Sequence, residues 1–89
     1  MKTGVVDTVI NVDTFTLKTG ETIRLIHVDA TDMGISNTNK GREELNRLIG
    51  GKPINCEIKG RDVHGRLVAE VWINSTNIND EMIRFMSGL

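Results

Sequence analysis

One interior helical pattern, set after three strand-like runs and before two more, leaves this chain few ways to fold. Val5-Val6-Asp7-Thr8-Val9-Ile10 and Thr14-Phe15-Thr16-Leu17-Lys18 are rich in β-branched and aromatic residues. They flank Asn11-Val12-Asp13, which reads as a tight connection between two strands. Gly20 turns the chain into a third run, Thr22 to Val28, in which His27 continues the alternation of Ile23 and Leu25. From Asp29 to Lys40 the sequence shows little periodicity and reads as an exposed loop of the kind that carries function. Leu45, Leu48 and Ile49 then predict a short amphipathic helix, starting near Gly41 and stopped by Gly50-Gly51 and Pro53. Ile54, Cys56 and Ile58, and after a polar glycine-bounded turn Leu67, Ala69, Val71 and Ile73, have the period of two further strands. Ile78, Met82, Phe85 and Met86, behind a cap at Asn77, predict a second helix.

The order β-β-β-α-β-β-α is that of the OB-fold, which removes sheet edges by closing them into a barrel. The expected class is therefore β-rich α+β, with five strands in a barrel, one helix after strand three and one C-terminal helix. With 89 residues, a single domain over 1–89 is expected. A net charge of −1 excludes both a basic nucleic-acid-binding arm and a disordered polyelectrolyte, so any nucleic-acid contact must be local. No apolar run approaches the ~18 residues of a membrane span, and a soluble chain without a membrane partner is expected. The single cysteine, Cys56, excludes an internal disulfide and reads as a small core residue.

Three carboxylates, Asp13, Asp29 and Asp32, fall at strand ends or just beyond them, where side chains can converge above a barrel wall. Such hard oxygen ligands suit Ca²⁺ or Mg²⁺. Arg24 and Arg66 sit near the same ends, and a guanidinium there needs an anionic partner. Two arginine forks beside a hard cation suit a phosphate and the extra charge of a pentacoordinate phosphorus. Arg24 and Asp29 are separated by an odd number of residues, which a regular strand would send to opposite faces, so the third strand must end or bulge between them.

Three separated segments resemble the staphylococcal nuclease, or thermonuclease-like, family. Asn11-Val12-Asp13-Thr14-Phe15 is similar to its Asp-Gly-Asp-Thr-Phe element. Arg24-Leu25-Ile26-His27-Val28-Asp29-Ala30-Thr31-Asp32 resembles Arg-Leu-x-x-Val/Ile-Asp-Ala/Thr-Pro-Glu, and Asp62-Val63-His64-Gly65-Arg66 resembles Asp-x-Tyr-Gly-Arg. The resemblance implies a calcium-dependent nuclease that hydrolyses single-stranded or flexible DNA or RNA. It implies Asp13, Asp29 and the carbonyl of Ala30 as calcium ligands, Arg24 and Arg66 as the phosphate clamp, and Asp32 as the carboxylate that activates or orients the attacking water.

The departures also carry expectations. Asn11 stands where the family has its first aspartate, and Val12 where it has glycine, which points to weaker metal binding. Asp32 is one methylene shorter than the family's glutamate, Thr31 replaces a proline, and His64 replaces a tyrosine. The alternative reading is a catalytically weak or inactive OB-fold module that binds nucleic acid or a protein partner. A monomer, or a domain of a longer chain, is expected. Trp72, opposite the apolar face of its strand, reads as a cover for the outside of the barrel.

Overall fold

A computed structural model describes residues 1–30 and 33–89 of the chain. Strands β1 (Lys2–Asn11), β2 (Thr14–Leu17) and β3 (Thr22–Leu25) form an antiparallel meander. Helix α1 (Gly34–Ile49) follows, then β4 (Pro53–Arg61), β5 (Leu67–Ile73), a two-residue β6 (Thr76–Asn77) and α2 (Ile78–Ser87). The sheet order is β3-β2-β1-β4-β5-β6, and a parallel pairing of β3 with β5 closes the first five strands into the OB-fold barrel.

The core follows from strand pleating, with informative exceptions. Phe15, Leu17, Ile23, Leu25, Ile54, Cys56, Ala69 and Val71 point inward at every second position. In β1 the buried residues are Val6 and Val9, three apart, because the β1–β2 register shifts between Val6 and Thr8 and turns the strand over. Ile58, expected on the inner face of β4, keeps the ladder register opposite Ala69 but is 37% exposed, and the β4–β5 register slips just after it, between Ile58 and Gly60. Burial pushes the Cys56 thiol up to about 11, which makes it an inert core group at neutral pH.

Two expected boundaries are corrected. The third strand stops at Leu25 instead of Val28, and Ile26 and His27 form a turn closed by a hydrogen bond from Val28 N to Leu25 O. His27 adopts φ +66° and is exposed, so it leaves the strand alternation. The helix after it begins at Gly34, not near Gly41, and converts most of the expected loop into helix. Its start lacks a side-chain cap: Met33 occupies the N-cap position in helical conformation, and the Thr38 hydroxyl donates back to Gly34 O at 2.7 Å. Such a polar first half is held by packing rather than propensity. Met33 packs on the core, and the buried Gly41, Leu45 and Ile49 share the inner face. At the other end of the chain α2 starts as expected, with the Asn77 side chain accepting from Asp80 N.

Gly41 is the point where α1 meets the β1–β2 turn. A Cβ there would lie 2.5 Å from Val12 Cγ2, so the glycine is a notch for the fully buried Val12. Gly41→Ala should cost about 1 to 2 kcal/mol by overpacking, despite alanine's better helix propensity. In a Val12→Ala background the same change should become neutral or stabilising. Urea unfolding of the four proteins measures this coupling, and an equal cost in both backgrounds would contradict the contact.

Candidate functional site

Closure of the barrel brings together residues far apart in sequence. The β3–β5 ladder pairs Arg24 with Val68 and Ile23 with Leu67, so Arg24 lies alongside the start of β5, where Arg66 immediately precedes the strand. On the other side β2 pairs Thr14 with Arg24. The main chain of Asp13 is tied to β3 as well, its carbonyl accepting from Leu25 N at 2.8 Å. Asp13, Arg24, Asp29, Ala30 and Arg66 thereby line one open cleft of about 360 Å³, with Asn11 and Thr38 completing its wall. Asp32 lies outside the described residues.

The turn after β3 resolves the parity problem of Arg24 and Asp29. Once Ile26 and His27 leave the extended conformation, Val28 returns to the core and Asp29 follows it at the cleft. The buried Asn79 of α2 fixes this turn. Its side-chain amide donates to Ile26 O at 2.9 Å and Ala69 O at 3.1 Å, while its oxygen accepts from Val71 N at 2.9 Å. These three bonds are all directed at the backbone of the turn and of β5, which stabilises the loop carrying Asp29.

Asp13 is buried, and its two oxygens have different surroundings. Oδ1 accepts from the Thr14 hydroxyl at 2.8 Å, and Oδ2 lies 3.7 Å from Arg24 Nε, an ion pair too long for a hydrogen bond. Asn11 closes the turn beneath, accepting from Val12 N at 2.8 Å, so in this chain it acts as a turn former. Behind Arg66, Asp62 organises the β4–β5 turn. Its Oδ1 accepts from the amides of His64 and Arg66, and its Oδ2 accepts from Arg66 Nε at 2.6 Å. Arg66 is thus gripped at Nε, while Nη1 lies 3.5 Å from the Thr14 hydroxyl, the same hydroxyl that bonds Asp13.

Asp62, Thr14 and Asn79 are site-shaping residues to which sequence reading gave no role. Asp62 and Thr14 stand inside the two short motifs that also contain Arg66 and Asp13, a signal that was present. Asn79 also had a signal, since Ile78-Asn79 resembles the family's Val-Asn helix entry, but that resemblance gave it no contact with the turn after β3. His64 is exposed at the β4–β5 turn, and Trp72 is half-buried on the outside of the barrel, as its alternation with Val71 predicts. Among the described residues there is no cluster of three His, Cys, Asp or Glu side chains of the kind that cages a metal.

Burial raises the Asp62 carboxyl, but its hydrogen bonds from the Arg66 amide and guanidinium and from the His64 amide outweigh that and hold it below its ordinary value of 3.8. A carboxyl with a lowered folded-state pKa adds stability that is present above the unfolded value and is lost as the pH falls through the folded one. Asp62→Asn should therefore melt below the parent at neutral pH, and the gap should close as the pH drops below ~3.9. A gap that stays constant across that range in thermal melts would contradict this role.

Comparison with known proteins agrees with the resemblance in the motifs. The sequence model of a family described as staphylococcal nuclease homologue matches residues 22–88. Two proteins of Oryza sativa subsp. japonica, named as probable staphylococcal-like nucleases CAN3 and CAN2, are each 29% identical over 62 residues. Those alignments cover 70% of this chain but 16% and 17% of the rice proteins, so the chain spans about a sixth of the relatives it matches. The family match runs from β3 through α2 and takes in Arg24, Asp29, Ala30, Asp62 and Arg66, while Asp13 precedes it. With three quarters of its length matched in this way, the chain belongs to the staphylococcal nuclease homologue family.

Proposed function

We propose that the chain is a calcium-dependent nuclease hydrolysing phosphodiester bonds in single-stranded or flexible DNA or RNA. The observation that carries this reading is the convergence of two carboxylates and two guanidiniums from separate chain segments in one open cleft. Those four charges cancel one another within the cleft. A bound divalent cation leaves an excess of two positive charges, which opposes the negative charge that builds on the phosphoryl oxygens during in-line attack.

The donors in the cleft fit such a cation, though not tightly. Asp13, Asp29 and the Ala30 carbonyl offer only hard oxygen, which suits Ca²⁺, and the remaining ligands fall to water. When bound, the cation supplies positive charge beside the phosphoryl oxygens and lowers the pKa of nearby water. The chain's own groups do the positioning. Arg24 and Arg66 grip the phosphate oxygens in two-pronged fashion, and Asp62 fixes the Arg66 fork by holding Nε. Thr14 couples the two halves, since its hydroxyl is bonded to Asp13 and lies within reach of Arg66. Asp32 orients the attacking water and takes up its proton.

The test is to incubate the purified chain with denatured DNA and with RNA, in the presence of Ca²⁺ or a chelator. Calcium-dependent cleavage is expected. Salt-sensitive binding without cleavage under any divalent metal would assign a binding module instead. Arg24→Lys and Arg66→Lys should each lose ~10- to 100-fold in kcat/KM with unchanged circular dichroism, because lysine keeps the charge but not the fork. Asp13→Ala should lose the calcium response. Near-parental kinetics in either lysine variant would remove that arginine from the clamp.

A further inference from the structure

Two residues of the cleft wall have no part in the chemistry proposed above, Asn11 at the end of β1 and Thr38 in the second turn of α1. They come from segments held side by side, since Val12 is seated against Gly41, which follows Thr38 by one helical turn. What each can offer a ligand follows from the hydrogen bond it has already made.

Asn11 accepts from Val12 N at 2.8 Å. A backbone N–H can meet only the oxygen of a side-chain amide, so the Asn11 oxygen faces the turn and its Nδ2 keeps both protons, with no acceptor among the described residues. Thr38 is the converse. Its hydroxyl proton is committed to Gly34 O at 2.7 Å, which leaves it lone pairs and no proton to present at the cleft. One wall of the cleft therefore sets a donor beside an acceptor. A phosphate oxygen only accepts and would satisfy the amide alone. Water on a cation only donates and would satisfy the threonine alone. The ester and ring oxygens of a deoxyribose within a strand only accept. A ribose 2′-hydroxyl does both, and it sits on the carbon next to one that carries a phosphate.

We propose that Asn11 and Thr38 read the ribose 2′-hydroxyl, Asn11 Nδ2 donating to the hydroxyl oxygen and the hydroxyl proton going to Thr38 Oγ1, so that RNA is the substrate class of this cleft. The inference deepens the nuclease reading and rests on it. Asparagine is what opens this role to the chain. The aspartate of the family pattern could only accept, and would set two acceptors against the same hydroxyl.

The test measures binding in chelator, where no strand is cut. Labelled single strands of one sequence are titrated as RNA, as DNA with deoxyuridine in place of uridine, and as 2′-O-methyl RNA, which keeps a ribose-like sugar but has no proton to give. The parent should bind RNA about tenfold more tightly than DNA, and the 2′-O-methyl strand no more tightly than DNA. Thr38→Val should bring the RNA-to-DNA ratio close to one, Asn11→Asp should lower it about fivefold, and Thr38→Ser should keep it, all with unchanged circular dichroism. Reading a ratio cancels any effect that a variant has on both strands alike. Equal binding of RNA and DNA by the parent, RNA-like binding of the 2′-O-methyl strand, or a parental ratio in Thr38→Val would overturn the ribose site, and calcium-dependent cleavage of the same strands would leave the nuclease reading standing. The expected ratios without cleavage under any divalent metal would overturn the nuclease reading instead. Failure of the parent to bind any of the strands would overturn both.

Discussion

The parallel pairing of β3 with β5 is the contact on which the molecule depends. Every other ladder in the barrel joins neighbours by antiparallel pairing, and those ladders alone would leave an open sheet with β3 at one edge. The three residue pairs between Ile23–Leu25 and Leu67–Ala69 remove that edge. They also set Arg24 next to the start of β5, and so they create the cleft at the moment they close the barrel. Fold and site are in this sense one event, and a change that loosens the β3–β5 seam acts on both.

Closure places polar groups at a dry boundary, and the structure answers each of them. Among the described residues Asp13, Thr14 and Asn79 are the buried polar ones, and no buried side-chain nitrogen or oxygen of theirs lacks a partner. Asn79 spends its amide on the turn that aims Asp29, and Thr14 spends its hydroxyl on Asp13. An unpaired group at either position would cost ~1 to 3 kcal/mol, a large share of the stability of a small domain. The same bonds that avoid this cost also fix side-chain positions, which is what a site acting through positioned charge requires. Val12 contributes from below: wedged against Gly41, it holds the turn before Asp13 against α1, a role open to this chain because valine stands where the family pattern has glycine.

Much of this was legible in the sequence. Alternation in β2, β4 and β5, the Gly50-Gly51 stop and the Asn77 cap gave the element order, and the odd spacing of Arg24 and Asp29 required the strand break that occurs at Ile26. The five described residues expected at the site do share a cleft. What was not legible depends on contacts remote in sequence. The first half of α1, with Ser36, Asn37, Thr38 and Asn39, has weak helical propensity, and it is helical because Met33 and Gly41 dock on the barrel. The register slip that buries Val9 arises between strands, where one sequence read alone carries no record of its partner. Asp62 shows the same limit, since its grip on Arg66 is a feature of turn geometry rather than of composition.

The central claim is that the cleft bounded by Asp13, Asp29, Ala30 and Arg66 is where a divalent cation and a phosphodiester meet. Its most direct test is an amide chemical-shift titration of the isotope-labelled protein with Ca²⁺, followed by a phosphorothioate dinucleotide. The account predicts that calcium moves the amides of Asp13, Asp29 and Ala30, and that the dinucleotide then moves those of Arg24 and the Asp62–Arg66 turn, more strongly with calcium than without. Shifts concentrated elsewhere on the barrel, or a dinucleotide response indifferent to calcium, would contradict it.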